Sequence, residues 1–324
     1  MTTQQSDFSS ICTAYAPSST ANIGPGYDVF GLGLNLFGDK VTIFKKSTKS
    51  NHIRIRAIGE DKSNIVPSKL ELNSAGIVIK KMCKDFDIQS DLDIDITKGV
   101  PVGYGLGSSA ASAAAAATAF DKLFNLNIEK TKLVEYAAEG EVASAGTKHY
   151  DNVSASLLGG FVIVRTSPKL EFIRVDPPED LVLVIAIPDV NVPEGKTGRA
   201  RRILPKQIAL TKVVTTISNA GIVVAGFALK NTEILAGGIH DIIVEPSRKQ
   251  LIPGYDSVKK NALDAGSLAV TISGAGPSMI SFLKTTRHAK KVAKAMSTGF
   301  AEARVKSTTF IAYPSLGARV LKST

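Results

Sequence analysis

Apolar positions alternate with polar ones, or run rich in β-branched residues between turn formers, over residues 11–16, 41–45, 52–57 and 92–97, and each stretch predicts a β-strand. Among them, Leu70, Leu72, Ala75, Ile79 and Met82 recur near helical spacing and predict a helix over 68–84. A second helix is predicted to open at Ser108 and Ser109 and to run through the alanine-rich ASAAAAATAF, and a third to cover 130–142. Past Gly159 and Gly160, residues 161–165 and 181–187 read as a strand pair, the second a continuous apolar run that implies burial on both faces. Residues 205–230 and 257–265 then read as helices, 268–272 and 279–283 as the strands of a hairpin, 288–298 as a helix and 308–313 as a last strand. Both halves mix helices and strands without a regular βαβ rhythm, so the predicted class is α+β, divided near residue 165 into units 1–165 and 166–324.

Composition narrows the class of partner. A chain of 324 residues that is 44% hydrophobic and 21% charged has enough for two packed domains and no compositional sign of disorder. No apolar run approaches the roughly 20 residues that span a bilayer, and the opening MTTQQSDFSS is polar instead of a basic stretch followed by an apolar core. The expectation is a soluble, cytoplasmic protein with no membrane partner. Cys12 and Cys83 lie in separate apolar segments without metal-ligand spacing and read as buried thiols of a reducing compartment. A net charge of +10 admits nucleic acid, an anionic membrane surface or acidic ligands such as nucleotides. The lysines are scattered, tryptophan is absent and the seven tyrosines do not interleave with basic residues, so nucleic acid is not the expected partner.

The most informative stretch is Pro101-VGYGLGSSAAS, where Gly103, Gly105 and Gly107 precede Ser108, Ser109 and an alanine run from Ala110. A glycine-rich loop feeding a helix lets backbone N–H groups approach an anion and adds the positive end of the helix, an arrangement suited to a nucleotide phosphate chain. The serines are placed to cap the helix, bond a phosphate oxygen or ligate Mg²⁺. A capped turn that packs a small-residue face on a neighbouring helix satisfies the same residues. No Lys-Ser or Lys-Thr follows the last glycine, which excludes a Walker A loop, and the spacing is not that of a GxGxxG dinucleotide fingerprint.

The pattern P-x-x-x-G-L-G-S-S-A closely resembles the phosphate-binding motif of the GHMP kinases. Two further stretches resemble that family in the expected order: Ala16-PSSTANIGPGYDVFGLGL, with Asn22 and Asp28 six apart, and Ser273-GAGPS, which contains Gly274. The resemblance implies a first domain of the family's left-handed βαβ type, a ferredoxin-like second domain, ATP as substrate and a homodimer. It implies that Pro101, Gly103, Tyr104, Gly105, Leu106, Gly107, Ser108, Ser109 and Ala110 line the ATP site together with Asn64, and that Glu141 and Ser109, with Ser108 in reserve, hold Mg²⁺. Tyr104 is bulky for such a loop, and Pro25 stiffens the first motif.

Within the family, His149-Tyr-Asp151-Asn152-Val153 resembles the homoserine kinase H-x-D-N-V signature, Thr197-GRARRILP resembles its T-x-x-A-R-x-x-L-P segment, and Glu245-PSRKQLIPGY resembles its E-P-x-R segment. These mark Thr197, Arg201 and Arg248 beside Asn22, Asp28, His149, Asp151 and Gly274 as the implied binding cage for L-homoserine. The implied activity is phosphorylation of the homoserine hydroxyl by MgATP in threonine biosynthesis, with Glu141, Ser109 and Arg201 on the reacting side. A zwitterion needs carboxylate for its amine and arginine for its carboxylate, and the planar arginine fork binds a carboxylate bidentately. Mevalonate and shikimate lack the amine that would occupy an acidic pocket. The further alternative is a non-catalytic relative that binds RNA or another polyanion. Mevalonate kinases use an aspartate near the position of Asp151 as base, whereas homoserine kinases use theirs for binding, and the binding role is the favoured expectation here.

Overall fold

The computed structural model describes residues 8–48, 50–59, 66–145, 148–193 and 195–323. The first sheet is built from β1 (Phe8–Asn22), β2 (Gly26–Lys46), β3 (Ile53–Gly59), β4 (Leu92–Thr97), β5 (Phe161–Arg165) and β6 (Glu171–Val175), with the last strand of the chain at its edge. β1 and β2 are longer than alternation alone predicts because each bends through irregular register, between Pro17 and Ser18 and between Ala21 and Asn22, and continues beyond the bend. β3 and β4 run parallel, joined by a crossover that contains α1 (Ser74–Asp85). That helix starts later than residue 68: Leu70–Leu72 form a single 3₁₀ turn, and Asn73, extended, caps α1 by accepting from the Gly76 N–H at 3.2 Å.

Three more helices pack on this sheet: α2 (Ser108–Leu123), α3 (Lys130–Ala145) and α4 (Tyr150–Leu158). The alanines of α2 are all buried, and their small side chains let α1 and α3 approach closely. At Gly140 of α3 an added Cβ would lie 2.6 Å from the Ser74 carbonyl oxygen.

β5 does not pair with the apolar run downstream of it. It pairs antiparallel with β2 and β6, and the run is β7 (Val182–Pro188), a central strand of a second sheet. The continuous apolarity of β7 arises because Leu181, Leu183 and Ile185 face Phe30, Leu32 and Phe161 of the first unit, while Val182, Val184 and Ala186 face the helices behind the second sheet. Burial on both faces was legible in the sequence; the partner was not, since an apolar run carries no address.

Between β7 and the next strand of the second sheet the chain forms α5 (Lys196–Arg202), α6 (Leu210–Ala228), α7 (Thr232–Gly238), α8 (Val244–Arg248) and α9 (Tyr255–Asp264). β8 (Ala269–Ile272) and β9 (Met279–Leu283) make the expected hairpin, and α10 (Ala289–Glu302) leads to β10 (Ser307–Ala312). The order β10-β7-β9-β8 with all pairs antiparallel is the ferredoxin-like arrangement. β11 (Arg319–Ser323) then returns to the first sheet and pairs with β1. α6 begins at Leu210, five residues after Pro205 instead of at it, with the extended Ala209 as its N-cap residue. Contrary to the expectation from apolar runs, α6 is by length and composition apolar enough to cross a membrane; its threonines, serine and asparagine interrupt the run without making the helix polar. Val223, Gly226 and Phe227 bury one side of it, and Phe227 stacks on Phe161 at 3.8 Å.

Candidate active site

The phosphate loop lies where the two units meet. Gly103, Gly105 and Gly107 all have positive φ, at 86°, 78° and 70°. At Gly105 a Cβ would lie 2.2 Å from the Ser273 carbonyl oxygen, and at Gly107 it would lie 2.1 Å from Ser19 Oγ, so both positions need glycine for conformation and for space. Among the described residues no protein acceptor takes the N–H groups from Gly103 to Ala110, whereas Ala111 N–H begins the helical ladder on Gly107 at 2.9 Å. A row of undonated amides at the positive end of a sixteen-residue helix has the geometry that suits an anion. Ser108 donates its hydroxyl to the Val100 carbonyl at 3.0 Å, which leaves the half-buried Ser109 hydroxyl without a protein partner among the described residues. Tyr104 does not crowd the loop: its ring turns toward the second sheet and its hydroxyl donates to the Val190 carbonyl at 3.1 Å. Asn64 lies outside the described residues.

A buried network supports the loop from behind. Asp39 is fully buried; it accepts from the backbone N–H groups of Gly99 at 3.0 Å and Val100 at 3.1 Å and from Ser112 Oγ at 2.6 Å, and it pairs with Lys98. Lys98 Nζ also donates to the Ser108 carbonyl at 2.9 Å. The motifs do not mark this trio, because an isolated Asp and Lys in strand ends look like solvated charges.

The acceptor side is assembled from four distant segments. Asn22, the last residue of β1, and Asp28, near the start of β2, flank the turn between the strands and both have positive φ, 72° and 58°. Asn22 Nδ2 donates to the Gly274 carbonyl at 2.8 Å, and its Oδ1 accepts from Asp28 N–H at 3.2 Å, so one side chain fixes both the turn and the third motif. Arg201 of α5 pairs with Asp28 at 2.8 Å. Arg248 of α8, buried, donates to the Gly274 carbonyl at 3.1 Å and to the Ala200 carbonyl at 3.2 Å. Both guanidiniums lie over the Tyr27 ring, at 5.4 Å and 5.1 Å from its centroid. Tyr27 is a site residue that the motifs did not single out, although it directly precedes Asp28. Thr197 is half-buried on α5. Glu245 of the E-P-x-R segment turns away from the cage and takes Thr271, Tyr255 and Lys259, anchoring α8.

His149, which caps the entry to α4, lies 3.1 Å from Glu141 Oε2, both groups buried. Burial opposes its imidazolium, but the hydrogen bond and charge of Glu141, with Asp151 adding, outweigh this and raise its pKa. Asp151 is 2% exposed and accepts from the Asn152 N–H at 2.7 Å. Burial first, then the charge of Asp28, raise its carboxyl to about 6. Asn152 links this segment to the phosphate side by accepting from Ser19 Oγ at 3.1 Å.

A divalent cation fits this donor set in one way. Among the described residues no cluster of three or more His, Cys, Asp or Glu side chains could hold a metal alone. The buried Glu141 carboxylate and the Ser109 hydroxyl suit Mg²⁺, which takes one or two protein oxygens and completes its shell with phosphate and water.

These elements agree with known proteins. The chain matches the family model for the GHMP kinases N terminal domain over residues 73–160 and that for GHMP kinases C terminal over residues 225–302. The protein is therefore a member of the GHMP kinase family. A homoserine kinase of Methanococcus maripaludis is 40% identical over 272 residues, 83% of this chain and 86% of that one. A homoserine kinase of Halorubrum lacusprofundi is 36% identical over 310 residues, covering 96% and 99%. The crystal structure of homoserine kinase from Cytophaga hutchinsonii superposes with a TM-score of 0.89 at 36% identity over 99% of both chains. Within the GHMP kinases, the chain belongs with the homoserine kinases. The L. major mevalonate kinase, at 13% identity and a TM-score of 0.67, shares the fold.

Proposed function

We propose that the site transfers the γ-phosphoryl group of ATP to the side-chain hydroxyl of L-homoserine, giving ADP and O-phospho-L-homoserine. The observation that carries this reading is the Asp28–Arg201 ion pair, with Arg248 and Asp151 beside it. A zwitterion can enter such a pair by exchange: its ammonium takes Asp28 and its carboxylate takes Arg201 and Arg248, so no charge is left unpaired. Mevalonate or shikimate would occupy the arginines and strand Asp28. Asn22 and Gly274 hold the floor of this cage, Thr197 is read as its member on α5, and His149 orients the Glu141 carboxylate.

On the other side, the amides from Gly103 to Ala110 receive the phosphates, and Glu141 and Ser109 would hold Mg²⁺. That ion, when bound, neutralises charge on the β and γ oxygens. The cage presents the homoserine oxygen in line with the γ-phosphorus; the new O–P bond forms as the bridge to the β-phosphate breaks. Asp151, mostly ionised at neutral pH, binds the ammonium with Asp28, and the hydroxyl proton passes to a phosphate oxygen. Asp151→Asn separates this from base catalysis: a raised KM for homoserine supports binding, while lost turnover with unchanged homoserine affinity assigns it as general base.

The decisive test is ADP release with MgATP on L-homoserine, D-homoserine, mevalonate and shikimate in parallel. Saturable turnover on L-homoserine alone is expected; turnover on an amine-free alcohol sinks the assignment. A homodimer is the expected assembly, and a separate observation supports a helix-mediated contact. Leu210, Val214, Ile217 and Gly221 recur every three or four residues along the exposed side of α6, the spacing of a packed helical seam. Sedimentation velocity of wild type and Ile217→Asp should read dimer and monomer respectively.

A further inference from the structure

One cation in the site remains without a role. Lys196 is the first residue of α5, directly before Thr197, and its Nζ donates to the Gly103 carbonyl at 2.6 Å and to the Gly276 carbonyl. The first acceptor belongs to the phosphate loop and the second to the turn after β8, so a single ammonium ties the acceptor helix to the phosphate loop and to the turn that packs on it. No carboxylate among the described residues pairs with it. The phosphate loop brings only the Tyr104 hydroxyl, already donated to Val190, and the turn from Ser273 to Ser278 brings no titratable group. α8 brings Arg248, with Glu245 turned away to Thr271, Tyr255 and Lys259; α5 itself brings Arg199, Arg202 and Arg201, the last paired with Asp28.

We propose that Lys196 is a proton-linked phosphate-side cation: it straps α5 to the phosphate loop, and the nucleotide's phosphates complete its charge when they occupy that loop. The inference rests on the phosphoryl-transfer reading above and adds to it a residue and a mode of coupling. Two carbonyl dipoles are a partial counter-charge for an ammonium, and burial followed by the repulsion of Arg248 lowers Lys196 to about 7 in the empty protein. A triphosphate seated on the neighbouring amides supplies the missing negative charge and raises the proton affinity again. ATP affinity due to Lys196 is then fully present below the empty-state value, and it declines as pH rises toward the bound-state value, up to about tenfold per pH unit. The same proton sets how firmly α5, which carries Thr197 and Arg201, is held against the phosphate loop, which makes Lys196 a positioning residue for the acceptor as well.

Calorimetric titration of ATP in buffers of different ionisation enthalpy at pH 8 tests this. Wild type should take up close to one proton per ATP, and its affinity should fall between pH 7 and 9. Lys196→Arg should keep the affinity, lose the proton uptake and flatten the pH profile, since arginine stays charged. Lys196→Met should lose about tenfold or more in affinity at pH 7 and take up no proton. Proton uptake that persists in Lys196→Met, or wild-type ATP affinity in that variant across pH 6–9, overturns the proposal. A wild type that binds ATP with proton uptake but does not phosphorylate homoserine sinks the acceptor reading and leaves the strap standing; a wild type that binds no ATP sinks both.

Discussion

The phosphate side and the acceptor side of this site are built on opposite plans. In the proposed site, phosphate recognition falls to backbone: glycines in left-handed conformation, contacts under 3 Å between a hypothetical Cβ and the facing carbonyl or hydroxyl, and amides with no other partner among the described residues. The acceptor cage is carried by side chains from the turn after β1, from α4, α5 and α8, which already satisfy one another in ion pairs and ring contacts. Backbone recognition is rigid and indifferent to the group that will receive the phosphate. Side-chain recognition can be exchanged group by group for a substrate of matching charge, and it is where specificity within a shared fold is set.

The contrast breaks most sharply at Gly107. Gly107→Ala forces an L-residue to a φ of 70° and drives a methyl into Ser19 Oγ, so ATP affinity should fall by about a hundredfold or more while homoserine affinity is retained, as calorimetry would show. Arg248→Lys keeps the charge but loses the fork; kcat/KM for homoserine should drop about ten- to a hundredfold with the ATP KM unchanged in initial-rate kinetics. A matching loss for ATP would mean that the two sides are not separable. Asp28→Asn should weaken L-homoserine more than its des-amino analogue, about tenfold, a difference visible in competition binding.

The smallest effect concerns stability and sharpens the comparison from the acceptor side. Asp151 has a folded-state pKa of about 6 against an ordinary 3.8, so its ionisation is penalised as pH rises through that window and the penalty is complete above it. Asp151→Asn should therefore stabilise the protein at pH 7 by about 1–3 kcal/mol, and by much less at pH 4, in thermal melts at the two pH values. A backbone site offers no such relief, since Gly107→Ala should destabilise at every pH.

The same division explains what could be read from sequence. Backbone recognition imposes residue types at fixed local spacing, so the loop from Pro101 to Ala110 was legible from the string alone, as was the helix it feeds. Asn22, Asp28, Arg201 and Arg248 were marked by their motifs, but their mutual pairing belongs to the fold. Tyr27 and Lys196 were missed because each sits one residue before a marked position, and a lone tyrosine or lysine there looks like surface. Asp39 and Lys98 were missed because nothing local announces a buried ion pair. Among the elements, the β8–β9 hairpin was readable from its two apolar runs on either side of a glycine-rich turn, whereas the partner of β5 depended on long-range pairing and the start of α6 carried no local signal.

The return of β11 to the edge of β1 has a consequence for how the molecule is made. Lys46, the end of β2, and Arg319, the start of β11, are separated by about 270 residues, roughly 15–55 s of ribosomal synthesis. During that interval β1 presents an uncovered edge in a nascent chain, the kind of surface that recruits unwanted strands. The nucleotide-side sheet thus cannot be finished before residues 319–323 have emerged, and early release or truncation before Arg319 should leave a sheet with an open edge that is prone to aggregate.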